Sequence, residues 1–546
     1  MKILQKYFRS FFLNRPYLIV SSLSSPNTTL INRPYSLIDK NKGGFCAGYR
    51  RLLRDLLCDK GFRVLSCFAI VLLFICGCDR PVQMLDEHPA IFPDYKGVTI
   101  PVNVAPLNFG MADGCERIKV RFTHHDRVML QCKGRRNISI PARAWKKLLR
   151  HAADGKLQVQ VCVRRGGKWY GYRPFDIHAT SDPIDPYLVY RLIEPGYELW
   201  DQMGIYQRNL SNFSESAIIH NRLTERSCVN CHSFHDYNPE RVMFHSRGPK
   251  SDGTFLFADG RQQRVNTQAG KAPAAGTYPA WHPSGNYIAF SANVTRQSFH
   301  ALPDKRIEVY DLESDLAVWD VKNNVMLRDA RFTCKDQWET FPTWSPDGKW
   351  LYYCAADPKR MPFDIERLKY GLYRVAFDAA TGRFGERIDT LLLPETTGKS
   401  VLFPRISPDG RYLLYTASTH GAFPIWHSGA NLEMIDLNDL SSVDIQAINS
   451  DEADSYHAWS SNGRWIVFSS RRIDGLYTRP YFAYFDASGK IHKPFLLPQK
   501  NPDHYARSLR SYNIPEFVKG KVKINPYEVS RTMRGSVTDL KEIIHP

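Results

Sequence analysis

No Gly-x-Ser-x-Gly occurs in this chain of 546 residues, and the stretch after residue 500 is too short for a hydrolase domain, so a serine hydrolase is not expected. No Lys/Arg cluster after residue 63 resembles a stripe that tracks phosphates, which argues against nucleic acid as a partner. The net charge of +18 points the other way until it is divided. Residues 1–63 carry 12 Lys or Arg against 3 acids, a net of +9 that leaves only +9 for the other 483 residues. Methionine is missing between Met1 and Met84, and the apolar run from Val64 to Ile75 is only twelve residues long, too short to span about 30 Å of hydrocarbon as a helix. Charged residues at 23% and apolar ones at 43% exclude wholesale disorder, and 13% aromatics favour β-structure.

The basic block that runs into the short apolar stretch suits a signal peptide and its h-region. Ile75-Cys76-Gly77-Cys78 follows and resembles the lipobox of bacterial lipoproteins, with Cys76 in a place usually held by Ser or Ala. That resemblance implies lipidation of Cys78, an N-terminal lipid anchor in a membrane, and a place on the periplasmic face of a bacterial membrane, inner or outer. About 60 residues precede the h-region, so translation is expected to start near Arg50 or Arg51 from a non-Met codon. The organisation expected is a basic extension over 1–63, the signal over 64–78, a tether over 79–92, a small β-rich domain over 93–200, a short segment over 201–248, a repeat region over 249–500 and a closing segment over 501–546.

Within 93–200 short β-runs are interrupted by one helix. Pro141 can open it, Trp145, Leu148, Leu149 and Ala152 recur on one face, and Gly155 can close it. Twelve cysteines are present, seven of them beyond the signal: Cys115, Cys132, Cys162, Cys228, Cys231, Cys334 and Cys354. An exported chain would permit disulfides, Cys334 with Cys354 among them.

Four segments superimpose: Tyr278-Pro279-Ala280-Trp281-His282-Pro283-Ser284-Gly285, Phe341-Pro342-Thr343-Trp344-Ser345-Pro346-Asp347-Gly348, Phe403-Pro404-Arg405-Ile406-Ser407-Pro408-Asp409-Gly410 and Tyr456-His457-Ala458-Trp459-Ser460-Ser461-Asn462-Gly463. Each leads into an apolar strand, and further on into a strand ending in Asp, predicted over Ile307 to Asp311, Leu372 to Asp378, Leu432 to Asp436 and Tyr481 to Asp486. A turn that fixes φ with Pro and supplies positive φ with Gly suits such a hairpin. The repeats resemble the TolB-type, WD40-like (PD40) β-propeller repeat with its W-S-P-D-G turn. The resemblance implies a mainly β fold, a propeller of about six blades, with Thr254 to Phe257 as a degenerate blade and 490–546 holding another blade or a closing strand.

Between the β-rich domain and the repeats lies Cys228-Val229-Asn230-Cys231-His232. C-x-x-C-H is the attachment signature of a c-type haem. The thiols of Cys228 and Cys231 would add to the vinyl groups of one haem c, and His232 would bind the iron as axial ligand. A zinc half-site supplemented by His235 and His245, a redox dithiol and a disulfide are competing readings. If Arg241 to Gly248 is a strand, Met243 and His245 project to one face, and either is a candidate sixth iron ligand, with His245 preferred. The order of these motifs resembles a group of Bacteroidetes-type exported propeller proteins often labelled cytochrome-related. The readings that follow are an electron-transfer cytochrome with a redox partner docked on the propeller, a non-enzymatic binding or assembly protein with a structural or sensory haem, and a periplasmic redox enzyme.

Overall fold

A computed structural model describes residues 83–194, 202–248, 251–302 and 305–546. The signal, Cys78 and the first residues of the tether lie outside that set. The fold is mainly β, and its larger part is a six-bladed propeller.

The first blade takes Tyr187–Ile193, Met203–Asn209 and Glu215–His220 from early in the chain and Ser511–Val518 from late in it. The second consists of Cys228–Phe234, Val242–Arg247, Gly253–Ala258 and Arg261–Asn266, the third of Thr277–Trp281, Tyr287–Leu302, Lys305–Asp320 and Val325–Asp329. The fourth runs from Trp338–Trp344 to Arg383–Leu392, the fifth from Ser400–Ile406 to Ser442–Val443, and the sixth from Asp454–Trp459 to Phe495–Leu496. Blade 1 is closed by a strand some 290 residues away from its other members in sequence, as a ring of sheets requires if it is to leave no open edge at the seam.

The segment 201–248, set apart in the sequence, here supplies strands of blades 1 and 2. Gly253–Ala258 is the third strand of blade 2 and not a blade of its own. The closing strand expected after residue 490 is Ser511–Val518. In blade 3 the strand ending in Asp is displaced from the predicted site: Tyr287 pairs with Asp320, as Tyr412 pairs with Asp436 in blade 5. Ile307 to Asp311 lies instead on an extension of the same hairpin, where Asp311 pairs with Thr295. The sequence offers Val309-Tyr310-Asp311 and Val318-Trp319-Asp320 as two similar endings, and only the pairing register separates them.

One backbone device recurs in all six innermost strands. Cys231, Tyr278, Phe341, Phe403, Tyr456 and Ile514 have φ of 51, 48, 53, 52, 47 and 51°. At each the register slips against the neighbouring strand. A left-handed residue in a bulge bends the strand and re-aims its side chain. The turn that follows is held by its own side chains. Asp347 accepts from Lys349 N at 3.1 Å, Ser345 Oγ accepts from Trp350 N at 3.0 Å, and Ser407 with Asp409 and Ser460 with Asn462 repeat the arrangement. Asn462 works in place of Asp because only an acceptor oxygen is needed. The tryptophans then tie blade to blade: Trp281 Nε1 donates to Ser233 O at 3.3 Å, Trp344 to Ala280 O at 3.0 Å and Trp459 to Arg405 O at 3.1 Å.

The N-terminal sheet spans 83–180, with Arg117–His124 and Gly155–Arg165 at its centre. Its helix is Ala142–His151, entered from Pro141 and burying Trp145, Leu148 and Leu149 as the periodicity predicts. Trp145 meets Phe122 edge-on at 5.9 Å. This sheet shares a continuous core with blades 5 and 6, through residues such as Tyr412, Trp465 and Phe495. At the other end, Lys541–His545 adds in parallel to the outer edge of blade 3.

Candidate functional site: an axial funnel

The left-handed positions place one side chain per blade on the propeller axis. Tyr278 and Phe341 meet at 4.5 Å, Phe341 and Phe403 at 4.1 Å, and Phe403 and Tyr456 at 5.2 Å. These rings plug the channel. On the side of the W-S-P-D-G turns the plug floors a cavity of about 540 Å³, whose rim includes Pro283, Pro346 and Pro408 and whose wall includes Trp281, Trp344 and Trp459. That volume lies within the usual range for small-ligand sites.

Cys231 and His232 both line this funnel. Cys231 is the left-handed residue of blade 2, so its thiol stands among the plug rings, within electrostatic reach of Tyr278 and Tyr456. His232 occupies the place that Pro279, Pro342, Pro404 and Pro515 take in four other blades. Its side chain is buried, with an edge contact to Phe234 at 6.4 Å, and neither ring nitrogen has a hydrogen-bond partner. The backbone of Val189 and Ile514 lies beside the ring without good hydrogen-bond geometry. Burial, reinforced by the Arg191 charge and only partly opposed by that backbone, lowers its pKa to about 3, so the imidazole is neutral.

The other expected ligands stand elsewhere. Cys228 packs with Val229 in the core between blades 1 and 2, and burial raises its thiol pKa. Met243 pairs with Ser233 and packs with Leu256, Trp281 and Ile288 on the face toward blade 3. His245, on that same face, holds Thr254 Oγ1 at 3.1 Å through Nδ1. Phe234, with which His232 packs, belongs to the opposite face together with Val242 and Phe244. The strand does project Met243 and His245 to one side, but the sheet lies between them and His232. All seven described cysteines are free thiols, Cys334 and Cys354 included.

For a c-type haem the structure thus offers a partial fit. Cys231 and His232 adjoin the cavity, and neither nitrogen of His232 has a close hydrogen-bond partner. Cys228, Met243 and His245 are not brought to the same place.

Three further funnel residues carry no chemical motif, Arg405 and His457 lying within the repeats and Glu516 outside them. Glu516 accepts from Phe234 N at 3.0 Å, and burial, partly opposed by that bond and by Arg405, pushes its carboxyl up to about 8. Arg405 lines the funnel, and burial, partly opposed by Glu516, lowers its pKa. His457 repeats the position of His232 but gives Nε2 to Leu414 O at 3.1 Å. The alignment of repeats shows this last equivalence once His232 is recognised as part of a blade. The funnel is therefore an aromatic socket lined also by Arg405, Asp236 and a Glu516 carboxyl that burial keeps protonated at neutral pH, suited to a flat or apolar body.

No protein-family model matches the chain, and no curated protein matches it. Among solved structures it is similar to a puromycin-hydrolyzing peptidase of Mycobacterium tuberculosis, at 14% identity and a TM-score of 0.32, over 76% of this chain and 57% of that one. It is also similar to a DUF4784 family protein of Bacteroides caccae, at 9% identity and 0.26, over 67% and 96%, and to dipeptidyl peptidase 4 of Porphyromonas gingivalis, at 11% and 0.28, over 57% and 45%. This chain spans little more than half the length of the first peptidase.

Proposed function

We propose that the chain is an exported TolB-like propeller lipoprotein, anchored through Cys78 on the periplasmic face of a bacterial membrane, that carries one haem c at the funnel on Cys231 and His232, with Cys228 turning out of the core between blades 1 and 2 to form the second thioether, and serves electron transfer. The observation that carries the reading is His232: where four blades have proline, this one has a buried neutral imidazole with both nitrogens unpartnered, directly after a cysteine on the funnel wall. A bound haem would supply one-electron redox chemistry. The neutral ring of His232 would offer its lone pair to the iron, Cys231 would offer a thiol beside it, Arg405 would offer charge to an acidic substituent, and the aromatic wall would exclude water. The funnel mouth is then the docking place for a redox partner.

A second reading rests on the funnel itself: a binding or assembly protein that takes an amphipathic anionic ligand in the aromatic socket. Haem staining of the membrane-extracted protein, with the mass of the mature chain, separates the two. A stained chain heavier by one haem is expected; an unstained chain of plain polypeptide mass overturns the first reading. Reduced spectra with and without carbon monoxide then test the redox-enzyme variant, since an open iron position shifts with the gas and a six-coordinate iron does not.

A further inference from the structure

The four-stranded pattern of a blade places the first turn at one end and the connection between second and third strands at the other. The funnel opens among first turns, so the blade 3 hairpin extension and the blade 5 connection over residues 419–430 lie at the opposite end of the propeller. There Glu308, on the extension, meets His420 and His427 of blade 5. His427 Nε2 is 2.9 Å from Glu308 Oε2 and 3.2 Å from Oε1, and His420 Nε2 is 4.0 Å from Oε2. All three ligand atoms lie within 4.8 Å of one another, with Glu308 and His427 buried.

The second nitrogen of each ring is already held. Ser418 Oγ is 3.1 Å from His427 Nδ1 and Thr419 Oγ1 is 2.9 Å from His420 Nδ1. The two rings lie 4.4 Å apart at 33°. Hydroxyls on Nδ1 fix both imidazoles with Nε2 toward one carboxylate, the outer-shell arrangement by which metal-binding histidines are oriented. Zinc binds His nitrogen at about 2.0 to 2.1 Å and carboxylate oxygen at about 2.0 to 2.2 Å, so ligands around one tetrahedral ion stand roughly 3 to 3.5 Å apart. Small side-chain movements bring the observed set to that spacing.

We propose that Glu308, His420 and His427 form a site for a divalent transition metal of the zinc class, with three protein ligands and one position left to water. The ion staples the blade 3 extension onto blade 5 across the intervening blade 4. The site is separate from Cys231 and His232, so it stands or falls independently of haem binding.

The test uses the full chain, stripped with chelator and titrated with Zn2+, reading bound zinc by elemental analysis and the Tm shift on zinc addition. The wild type is expected to bind zinc and gain Tm. His420→Gln keeps the Glu308 to His427 hydrogen bond, so it folds, and it should lose at least about tenfold in zinc affinity. Glu308→Gln should lose the Tm gain as well. A wild type that takes up no zinc overturns the site, and so does a His420→Gln protein that binds it with unchanged affinity, since zinc would then sit elsewhere, for example at Cys228 and Cys231.

Discussion

Cys231 and Tyr278 occupy the same place in successive blades: each is left-handed, at φ 51° and 48°, each interrupts the pairing of its innermost strand, and each turns its side chain to the propeller axis. The C-x-x-C-H pentapeptide is thus an edited copy of a structural repeat. Cysteine and histidine stand where the other blades keep Tyr, Phe or, in blade 1, Ile514, followed by proline or, in blade 6, by His457.

This equivalence makes His232→Pro an informative variant. Proline is native to the position in four blades, and the change removes two buried nitrogens with no partner, so stability should hold or rise by about 1–3 kcal/mol. The expected result is a cooperative melt at or above the wild-type Tm together with loss of the haem stain and of the reduced spectrum. A retained spectrum would mean that His232 is not the axial ligand.

Phe403 touches Tyr278, Phe341 and Tyr456, so Phe403→Ala should open the plug. The loss is expected to be about 3–5 kcal/mol in urea unfolding.

Glu339 is fully buried, with both carboxylate oxygens lacking a hydrogen-bond partner. Burial first, then the nearby charge of Asp315, pushes its carboxyl from 4.5 up to about 9. A folded-state value above the unfolded one means that the native protein holds the proton more tightly, so stability falls as pH rises from about 4.5 to about 9. Melts of Glu339→Gln should coincide with wild type near pH 5 and lie above it near pH 9.

Arg328 is almost fully buried and joins Asp315 to Glu542, the latter at 2.9 Å. Arg328→Ala leaves two acids facing each other in the core and should cost about 3–5 kcal/mol. Because Glu542 lies on the strand Lys541–His545, limited proteolysis should also release the C-terminal strand earlier than in wild type.

The propeller was legible because its turn chemistry is local: Ser, Pro, Asp and Gly act within five residues, and four copies survive in readable form. Blade 2 was not, since its first turn, His235-Asp236-Tyr237-Asn238-Pro239, has Asp and Pro but not in the Ser-Pro-Asp-Gly order, and its inner strand reads as a cofactor motif. Blade 1 hides for a different reason, its parts being joined by pairing between Tyr187–Ile193 and Ser511–Val518, which no local pattern encodes. The periodicity of Met243 and His245 is also visible in the sequence. Which face of the sheet His232 occupies is not, because the bulge between Asn230 and Ser233 breaks the alternation on which that inference depends. Arg405 and Glu516 meet only through the ring.

The strand Ser511–Val518 supplies the sixth left-handed residue and completes the first blade. The toroid therefore cannot shut until nearly the whole polypeptide is present, and its most distant contacts must form last or at the greatest entropic cost. Folding speed should consequently respond more to mutations in this final strand than to equal losses of contact within blades 3 to 5, and a chain severed near residue 510 should forfeit the cooperativity of the entire ring and not just one sheet of it.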